Sequence, residues 1–338
     1  MFWARHHFQT AIRAVIDGVF YLVDVILHLG AHRTGTTTLQ IYLENNRDNL
    51  NQIGTEFWGG NRTRSGLFSG LVKRPSEITH DAVLRGERSS GLIRMELDRL
   101  THCQVDSLIV SEENMIGVMG NNLEQAMLYP DAKARLQRFA PAFEHRCKRI
   151  ALSIRSYDKY WASVMAFLVE RGHQMPCDDL LDRLVIQPRR WRDVIGEIAS
   201  VFPRAQLMVW PFEGLIGQVD AQLATLNGGR VPAIMRGRDD WHNASAGLGK
   251  LRQVLKDRGQ HRRASQIPAG NSRWQPFVED HIAAFRDQYA DDINWLRSGA
   301  DGIATYVENA DSGAAGIDLR PHNQERGHFH DQEERSVG

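Results

Sequence analysis

The sequence predicts an α/β fold in which a central parallel sheet is flanked by helices and followed by a mainly helical C-terminal part. Two observations favour this fold class. Short apolar runs alternate with segments of helical periodicity, which is typical of parallel strands joined by crossover helices. One apolar run passes directly into a glycine-bearing loop and then into a helical pattern, an order that creates an anion site at the helix start.

Strands are predicted at four short, mostly apolar runs, residues 23–29, 107–110, 150–154 and 207–210. Helical periodicity is clearest at residues 160–170 and 191–201. After Trp210 the pattern is mainly helical, around residues 248–256 and 276–296. The polar, arginine-rich segment 259–272 is interpreted as a loop.

Composition limits the function classes. The chain has 338 residues, 42% hydrophobic and 24% charged, which suits one large globular domain or two smaller ones. Lysine plus arginine equals aspartate plus glutamate, at 41 each, so charge does not favour nucleic acid or an anionic membrane as partner. The three cysteines are far apart and favour neither disulfides nor a zinc site. We therefore expect no metal and a cytoplasmic location, while the oligomeric state is left open.

Three regions are predicted along the chain. Residues 1–22 form an N-terminal extension with apolar residues at helical spacing, interpreted as an amphipathic helix. Residues 23–300 form the α/β domain. Residues 311–338 are polar and are predicted to be a disordered tail, because such a segment buries too little surface to fold alone. No apolar stretch reaches the roughly 20 residues that cross a bilayer, so no transmembrane segment is predicted.

The loop at residues 30–37 carries the predicted chemistry. Backbone N–H groups at a helix start lack internal partners, and the helix dipole adds partial positive charge. Gly30 and Gly35 let the main chain approach a ligand without a Cβ clash, and the threonines at 36–38 place hydroxyl donors at the first turn. This strand–loop–helix unit indicates a P-loop-containing, nucleotide-binding type of fold.

The loop departs from the nucleoside triphosphatase pattern G-x-x-x-x-G-K-[ST]. Gly30 and Gly35 fit, but Thr36 stands where the lysine that reaches the β- and γ-phosphates is expected. The cation lies instead at Arg33, inside the loop. This favours a donor with fewer phosphates, whose transferred group lies over the loop itself.

These residues resemble the sulfotransferases that use 3′-phosphoadenosine 5′-phosphosulfate (PAPS). The family's 5′-phosphosulfate loop reads lysine-threonine-glycine-threonine-threonine, and this chain has Arg33-Thr34-Gly35-Thr36-Thr37, followed by Thr38. A second family motif binds the 3′-phosphate with an arginine that ends a strand and a serine in the next helix. Arg155 and Ser163 reproduce that order and spacing. The resemblance extends over about residues 23–296, and only these two motifs are specific.

Helix geometry supports the second motif independently of the resemblance. Asp158 can cap a helix that begins near Lys159, which puts Ser163 on its second turn. A strand-end arginine and a helical hydroxyl then converge on one phosphate, and Arg155 supplies a charge-assisted fork.

The resemblance implies an enzyme that moves the sulfuryl group of PAPS to a hydroxyl or amine of a carbohydrate or small metabolite and releases PAP. It implies contacts to PAPS at Arg33, Thr34, Gly35, Thr36, Thr37, Thr38, Arg155 and Ser163. The acceptor, the other expected partner, is not identified by the sequence. The family usually has lysine where Arg33 stands, and an arginine supplies the charge but hardly ever a proton.

Sulfuryl transfer also needs a general base for the acceptor proton. In a parallel sheet the base is expected at the carboxyl end of a strand near the loop, and Glu112 and Glu113 follow the run 107–111. Some sulfotransferases use a glutamate there, and the cytosolic ones use a histidine. Glu113 is the predicted catalytic base, with Arg33 as the second catalytic residue. Glu112 and a merely solvated acidic turn are the alternatives.

Two other functions stay open. A small-molecule kinase of the P-loop class is opposed by the missing lysine at Thr36, and a catalytically impaired nucleotide-binding relative is kept open by Arg33. Other basic residues could touch the acceptor or close over the nucleotide, although a solvated surface is their simpler interpretation: Arg62, Arg64, Arg236, Arg238 and the segment 241–245.

Overall fold

A computed structural model describes residues 22–143, 145–240 and 245–308. The predicted extension, apart from Leu22, and the predicted tail lie outside the described residues. Six strands form one sheet: β1 Asp24–His28, β2 Thr55–Trp58, β3 Ser107–Ser111, β4 Cys147–Ile154, β5 Gln206–Pro211 and β6 Thr305–Tyr306. Their order is β2-β3-β1-β4-β5-β6, and every neighbouring pair is parallel. The predicted α/β fold with a central parallel sheet is confirmed.

Helices cover this sheet. In chain order they are α1 Thr36–Asn45, α2 Arg47–Gln52, α3 Gly60–Arg62, α4 His80–His102, α5 Met119–Glu124, α6 Ala132–Phe143, α7 Tyr157–Glu170, α8 Asp178–Ile186, α9 Trp191–Val201, α10 Phe212–Leu215, α11 Val219–Leu226, α12 Leu248–Asp257, α13 His261–Gln266 and α14 Glu279–Arg297. Alternate strand residues enter two separate cores: Val25 and Leu27 pack with α4, α6 and α7, whereas Ile26 packs with α1 and α11. The sheet is therefore buried on both faces, which is why its strands are nearly continuous apolar runs.

Two strands were not predicted from the sequence, and one segment interpreted as a loop contains a helix. β2 and β6 have four and two residues, too few to show a periodic signal. The interpretation of residues 259–272 as a loop is wrong in part, because α13 lies within that segment. Its Ala264 is buried among the apolar residues of the larger core. Tertiary packing therefore stabilises this helix, although its arginine-rich sequence shows no helical periodicity of apolar residues.

The C-terminal part is mainly helical, as predicted, and a buried carboxylate ties it to the sheet domain. Asp292 of α14 is fully buried. It accepts hydrogen bonds from the Tyr157 hydroxyl, the Trp191 backbone N–H and the Arg192 guanidinium. These three donors begin α7 and α9, so α14 holds both helices in place.

Helix α7 begins two residues earlier than predicted. Ser156, not Asp158, is its N-cap residue, and Ser156 donates its hydroxyl hydrogen to the Asp158 carboxylate. Asp158 therefore lies in the first turn, where a negative charge complements the helix dipole. Ser163 remains on the second turn.

Topology fixes where a ligand can bind. β1 pairs with β3 on one side and with β4 on the other. The helical connections between strands therefore run to opposite sides of β1. In open parallel sheets, the carboxyl ends of the strands beside such a point form a crevice. Here those ends lead into three segments: the loop after His28, the acidic turn after Ser111, and Arg155 after β4.

Candidate functional site

Backbone conformations that favour glycine shape the loop between β1 and α1. Gly30 and Gly35 have φ values of +47° and +80°, in the left-handed region. A Cβ atom on Gly30 would lie 2.6 Å from the Thr36 hydroxyl oxygen, so a larger residue does not fit without rearrangement. Arg33 has a positive φ as well, +65°, which is uncommon for a residue with a side chain. After this turn Gly35, Thr36 and Thr37 line a cleft of about 240 Å³.

Threonine hydroxyls brace the loop from within. Thr34 accepts a hydrogen bond from the Ala31 N–H at 3.2 Å and donates one to the Ala31 carbonyl at 2.6 Å. Thr36 donates to the same carbonyl at 3.2 Å. Among the threonines predicted to contact PAPS, Thr36 and Thr37 line the cleft, while Thr34 and Thr38 are buried and do not.

Arg33 is joined to two serines that come from distant parts of the chain. Its Nε donates to the Ser163 hydroxyl at 2.9 Å and its Nη2 donates to the Ser245 hydroxyl at 3.2 Å. The two serine oxygens are 2.6 Å apart. The guanidinium also lies 4.8 Å from the ring centre of Phe167, a cation–π distance. The two predicted motifs therefore meet at Arg33 and Ser163.

Arg155 lies beneath this group. It donates a hydrogen bond to the Arg33 carbonyl at 2.9 Å, and its guanidinium lies 4.8 Å from the ring centre of Phe212. Its Nε is buried without a hydrogen-bond partner among the described residues, and the nearest carboxylate oxygen, on Glu213, is 3.9 Å away. Burial lowers the pKa of Arg33 and of Arg155 to about 10 in each case, so both stay charged at neutral pH.

The Glu112 side chain has a structural role. It is 1% exposed and accepts hydrogen bonds from the Thr63 hydroxyl (2.6 Å), from two Arg64 nitrogens (2.9 and 2.8 Å) and from the Asn114 amide (2.7 Å). The Asn114 backbone N–H adds another at 3.1 Å. With so many donors around a buried carboxylate, Glu112 joins the acidic turn to the segment after α3 and does not line the cleft.

Glu113 does line the cleft. Its side chain is 14% exposed and accepts from Gln40 at 3.0 Å and from Arg64 at 2.9 Å. Burial acts to raise the pKa of Glu113, but nearby His32, Arg64 and hydrogen-bond donors outweigh it and hold the pKa below its usual value. Glu113 is therefore ionised at neutral pH and can accept a proton.

Two histidines differ in their setting. His28 is buried within β1, bonded to the Ser111 hydroxyl at 2.7 Å and stacked on Trp210, and burial lowers its pKa to about 4. His32 is buried too, yet its side chain lines the cleft between the loop and Glu113.

Positive charge dominates the cleft. Glu113 is the one carboxylate among its described lining residues, which include five arginines: Arg33, Arg64, Arg155, Arg171 and Arg273. Sequence reasoning missed Arg171 and Arg273. Arg171 follows α7 and lies over Phe167, whereas an isolated bridge between Gly247 and Arg273 brings Arg273 and Ser245 to the cleft. No local signal marks such a contact between loops.

The other basic residues named from the sequence lie elsewhere. Arg62 pairs with Glu96, and Arg238 pairs with Asp220. The Arg236 backbone N–H donates to Asn46. Residues 241–244 of the late polar segment lie outside the described residues, and only Ser245 of that segment is seen in the cleft.

Compared with known proteins, the chain matches no family model, no curated protein and no solved structure. Among the described helices, none combines the length and apolarity needed to span a membrane. In the part of the chain that the structure describes, no three His, Cys, Asp or Glu side chains group as a metal site requires.

Proposed function

We propose that this protein is a PAPS-dependent sulfotransferase with a P-loop-containing, nucleotide-binding type of core. One observation carries the proposal. Arg33 of the loop and Arg155 after β4 line one cleft, and Ser163 of α7, buried and distant in the chain, is hydrogen-bonded to Arg33 beside it. This is the grouping that the resemblance requires if one nucleotide presents a phosphosulfate to the loop and a 3′-phosphate to Arg155 and Ser163.

Charge supports an anionic ligand of this kind. Arg33 is half-buried and Arg155 is buried, and the carboxylate nearest to Arg155, on Glu213, is partly exposed and 3.9 Å away. A bound phosphate gives such arginines charge-assisted hydrogen bonds that serines and carbonyl oxygens match only in part. The unpartnered Nε of Arg155 is a donor available for that purpose.

In the proposed reaction, the acceptor oxygen or nitrogen attacks the sulfur of PAPS. The bond from sulfur to the bridging oxygen breaks, and PAP leaves with the electron pair. Glu113 takes the acceptor proton, and the Arg33 guanidinium stabilises the charge that develops on the bridging oxygen. The acceptor is a hydroxyl or amine of a carbohydrate or small metabolite.

A kinase of the P-loop class is the principal rival. The structure gives Thr36, at the lysine position, a hydrogen bond to the Ala31 carbonyl, and none of the described lining residues of the cleft is a lysine. A nucleotide-binding relative without turnover would keep the arginines and the serines, and only an activity measurement distinguishes it from an enzyme.

Thermal unfolding with PAP, PAPS, ADP and ATP tests the proposal. A ligand that binds only the folded state adds about 2.7 kcal/mol of stability at a hundredfold excess over Kd. PAP should stabilise the protein more than ADP does, because ADP lacks the 3′-phosphate. Equal shifts for PAP and ADP would overturn the proposal, and a larger shift with ATP than with PAP would favour the kinase.

Two variants locate the effect. Arg155→Ala should remove most of the difference between PAP and ADP, and Ser163→Ala should reduce it without removing a charge. Arg183→Ala is the matched control, because Arg183 is a half-exposed arginine on α8 that pairs with Asp179 and does not line the cleft.

A further inference from the structure

The proposed reaction assigns no role to the titratable side chain of His32. It stands beside Arg33 inside the loop, and its side chain lines the cleft although the residue is only 6% exposed. The lysine of the nucleoside triphosphatase loop has no counterpart here, since Thr36 occupies its position. A second cation in this loop can come only from His32.

Hydrogen bonds hold the ring on both nitrogens. Nδ1 lies 2.9 Å from the Tyr129 hydroxyl oxygen, which also accepts the His32 backbone N–H at 2.8 Å. Nε2 lies 3.4 Å from the Asn114 side-chain oxygen. Tyr129 is fully buried and has a φ of +47°, so a residue in an uncommon backbone conformation anchors the loop.

These partners define the neutral tautomer. The Asn114 amide nitrogen donates to Glu112 at 2.7 Å, which turns the amide oxygen toward His32. An oxygen acceptor opposite Nε2 requires a hydrogen there. The neutral ring therefore carries its proton on Nε2, and Nδ1 accepts the hydrogen of the Tyr129 hydroxyl.

The same surroundings can satisfy the charged ring. A proton on Nδ1 would donate to the Tyr129 oxygen, provided that the tyrosine hydrogen turns elsewhere. Tyr160 packs beside Tyr129, with ring centres 6.3 Å apart, and its own oxygen accepts from the Asn122 amide at 3.0 Å. One rotation of a hydroxyl hydrogen thus converts a site for imidazole into a site for imidazolium.

Burial and the surrounding groups act on the pKa of His32 in opposite directions when no ligand is bound. Burial lowers the pKa of His32, and Arg64 acts in the same direction, whereas Glu113, the hydrogen bond to Asn114 and Glu112 raise it. The net effect favours neutral imidazole at pH 7. A phosphate or sulfate group in the cleft would add negative charge beside the ring and favour imidazolium.

We propose that His32 takes up one proton from solvent when a phosphorylated or sulfated anion binds in the cleft, and gives the loop a second positive charge beside Arg33. The proton returns to solvent when the ligand leaves. From the proposed function this inference needs only the binding of such an anion in the cleft.

Calorimetric titration of the full chain with PAP at pH 7.5, in buffers of different ionisation enthalpy, counts the protons taken up. We expect the wild type to take up as much as about one proton per PAP more than His32→Gln. Its Kd should weaken with rising pH, by up to about tenfold per unit, while that of His32→Gln changes less. Equal proton counts in the two proteins would overturn the inference.

Tyr129→Phe removes the acceptor for the added proton and keeps the ring. It should bind PAP with fewer protons taken up than the wild type, and unchanged uptake would overturn the role of Tyr129. If His32→Gln does not fold, this variant and the histidine ¹⁵N chemical shifts of the wild type with and without PAP show whether His32 takes up the proton. His281→Gln is the matched control, because His281 pairs with Asp182 outside the cleft and should leave proton uptake unchanged.

A second probe separates this inference from the proposed function. Inorganic pyrophosphate offers the cleft an anion without adenosine or a 3′-phosphate. Proton uptake through His32 with pyrophosphate, in a protein that does not distinguish PAP from ADP, would support the histidine and overturn the sulfotransferase. Preferential PAP binding without proton uptake by His32 would support the sulfotransferase and overturn the role of the histidine. Binding of neither PAP nor pyrophosphate would overturn both proposals.

Discussion

The two ends of the cleft hold charge in opposite ways. At the loop end, Arg33 and Arg155 are bonded to serine hydroxyls and a main-chain carbonyl, and the nearest carboxylate oxygen is 3.9 Å from Arg155. At the β3 end, Glu112 and Glu113 share the Arg64 guanidinium at 2.8 and 2.9 Å. The loop end thus carries positive charge that an anionic ligand would balance. At the β3 end two carboxylates share one guanidinium, so one negative charge is left over, and Glu113 lines the cleft where it can accept the proton of a neutral hydroxyl or amine.

The largest effect is expected on turnover, from a change at the β3 end of the cleft. Glu113→Gln keeps the shape of the side chain and removes the proton acceptor, so the rate should fall by about 10² to 10⁴-fold with PAP affinity nearly unchanged. Acceptor screening with labelled PAPS must first supply a substrate. Wild-type turnover should persist below the usual titration range of glutamate and be lost as pH falls through the lowered pKa of Glu113.

Assignment of the base depends on the neighbouring carboxylate. A folded Glu112→Gln protein without turnover, beside an active Glu113→Gln, would mean that Glu112 is the base. If both variants turned over like the wild type, the base would lie elsewhere and the turn would be structural.

Glu112 should matter for stability more than for chemistry. Glu112→Gln replaces a buried carboxylate oxygen by an amide group that faces donors from Thr63, Arg64 and Asn114. We expect a loss of about 1–3 kcal/mol in the free energy of unfolding, since donors that faced the buried carboxylate lose an acceptor. Denaturant titration measures it. Glu113→Gln, with fewer partners, is the control, and equal losses in both variants would contradict the difference described between the two carboxylates.

Arg33 tests the loop end. Its charge is needed most as the sulfur–oxygen bond breaks, so Arg33→Ala should lower kcat by about 10²-fold and weaken PAP binding less. Arg33→Lys restores the usual family residue and should keep or raise the rate. Arg171→Ala offers the contrast, because Arg171 lines the cleft outside the loop and should affect binding more than kcat. Identical kinetic patterns for the two alanine variants would remove the special role of Arg33.

The smallest effect is expected at the N-terminus. A protein that starts at Leu22 keeps all strands of the sheet and the described residues of the cleft, so it should fold and bind PAP with little change. Val23 is buried, and its backbone N–H donates to Thr101 at 3.3 Å, which anchors the chain at this point. Circular dichroism and PAP titration check the result. An insoluble truncated protein would show that residues 1–21 belong to the fold.

Local patterns were enough for the sheet and the loop. Short, nearly continuous apolar runs predicted β1, β3, β4 and β5, because strands buried on both faces need no polar alternation. Gly30 and Gly35 predicted the ligand-facing loop, and the structure gives both a left-handed backbone. The short β2 and β6 show no such signal, and they join the sheet through pairing with strands distant in sequence.

What tertiary structure alone decided is the composition of the cleft. The resemblance assigned Arg33, Arg155 and Ser163 through motifs in a loop, at a strand end and in a helix, which are local features of the sequence. It could not separate Glu112 from Glu113, because the difference comes from residues 48 to 49 positions away. Thr63 donates to Glu112, and Arg64 gives Glu112 two hydrogen bonds but Glu113 one. Arg171, Ser245 and Arg273 likewise reach the cleft through contacts between loops and helices. Such contacts depend on how packed elements meet in space, and no short-range pattern of residues records that.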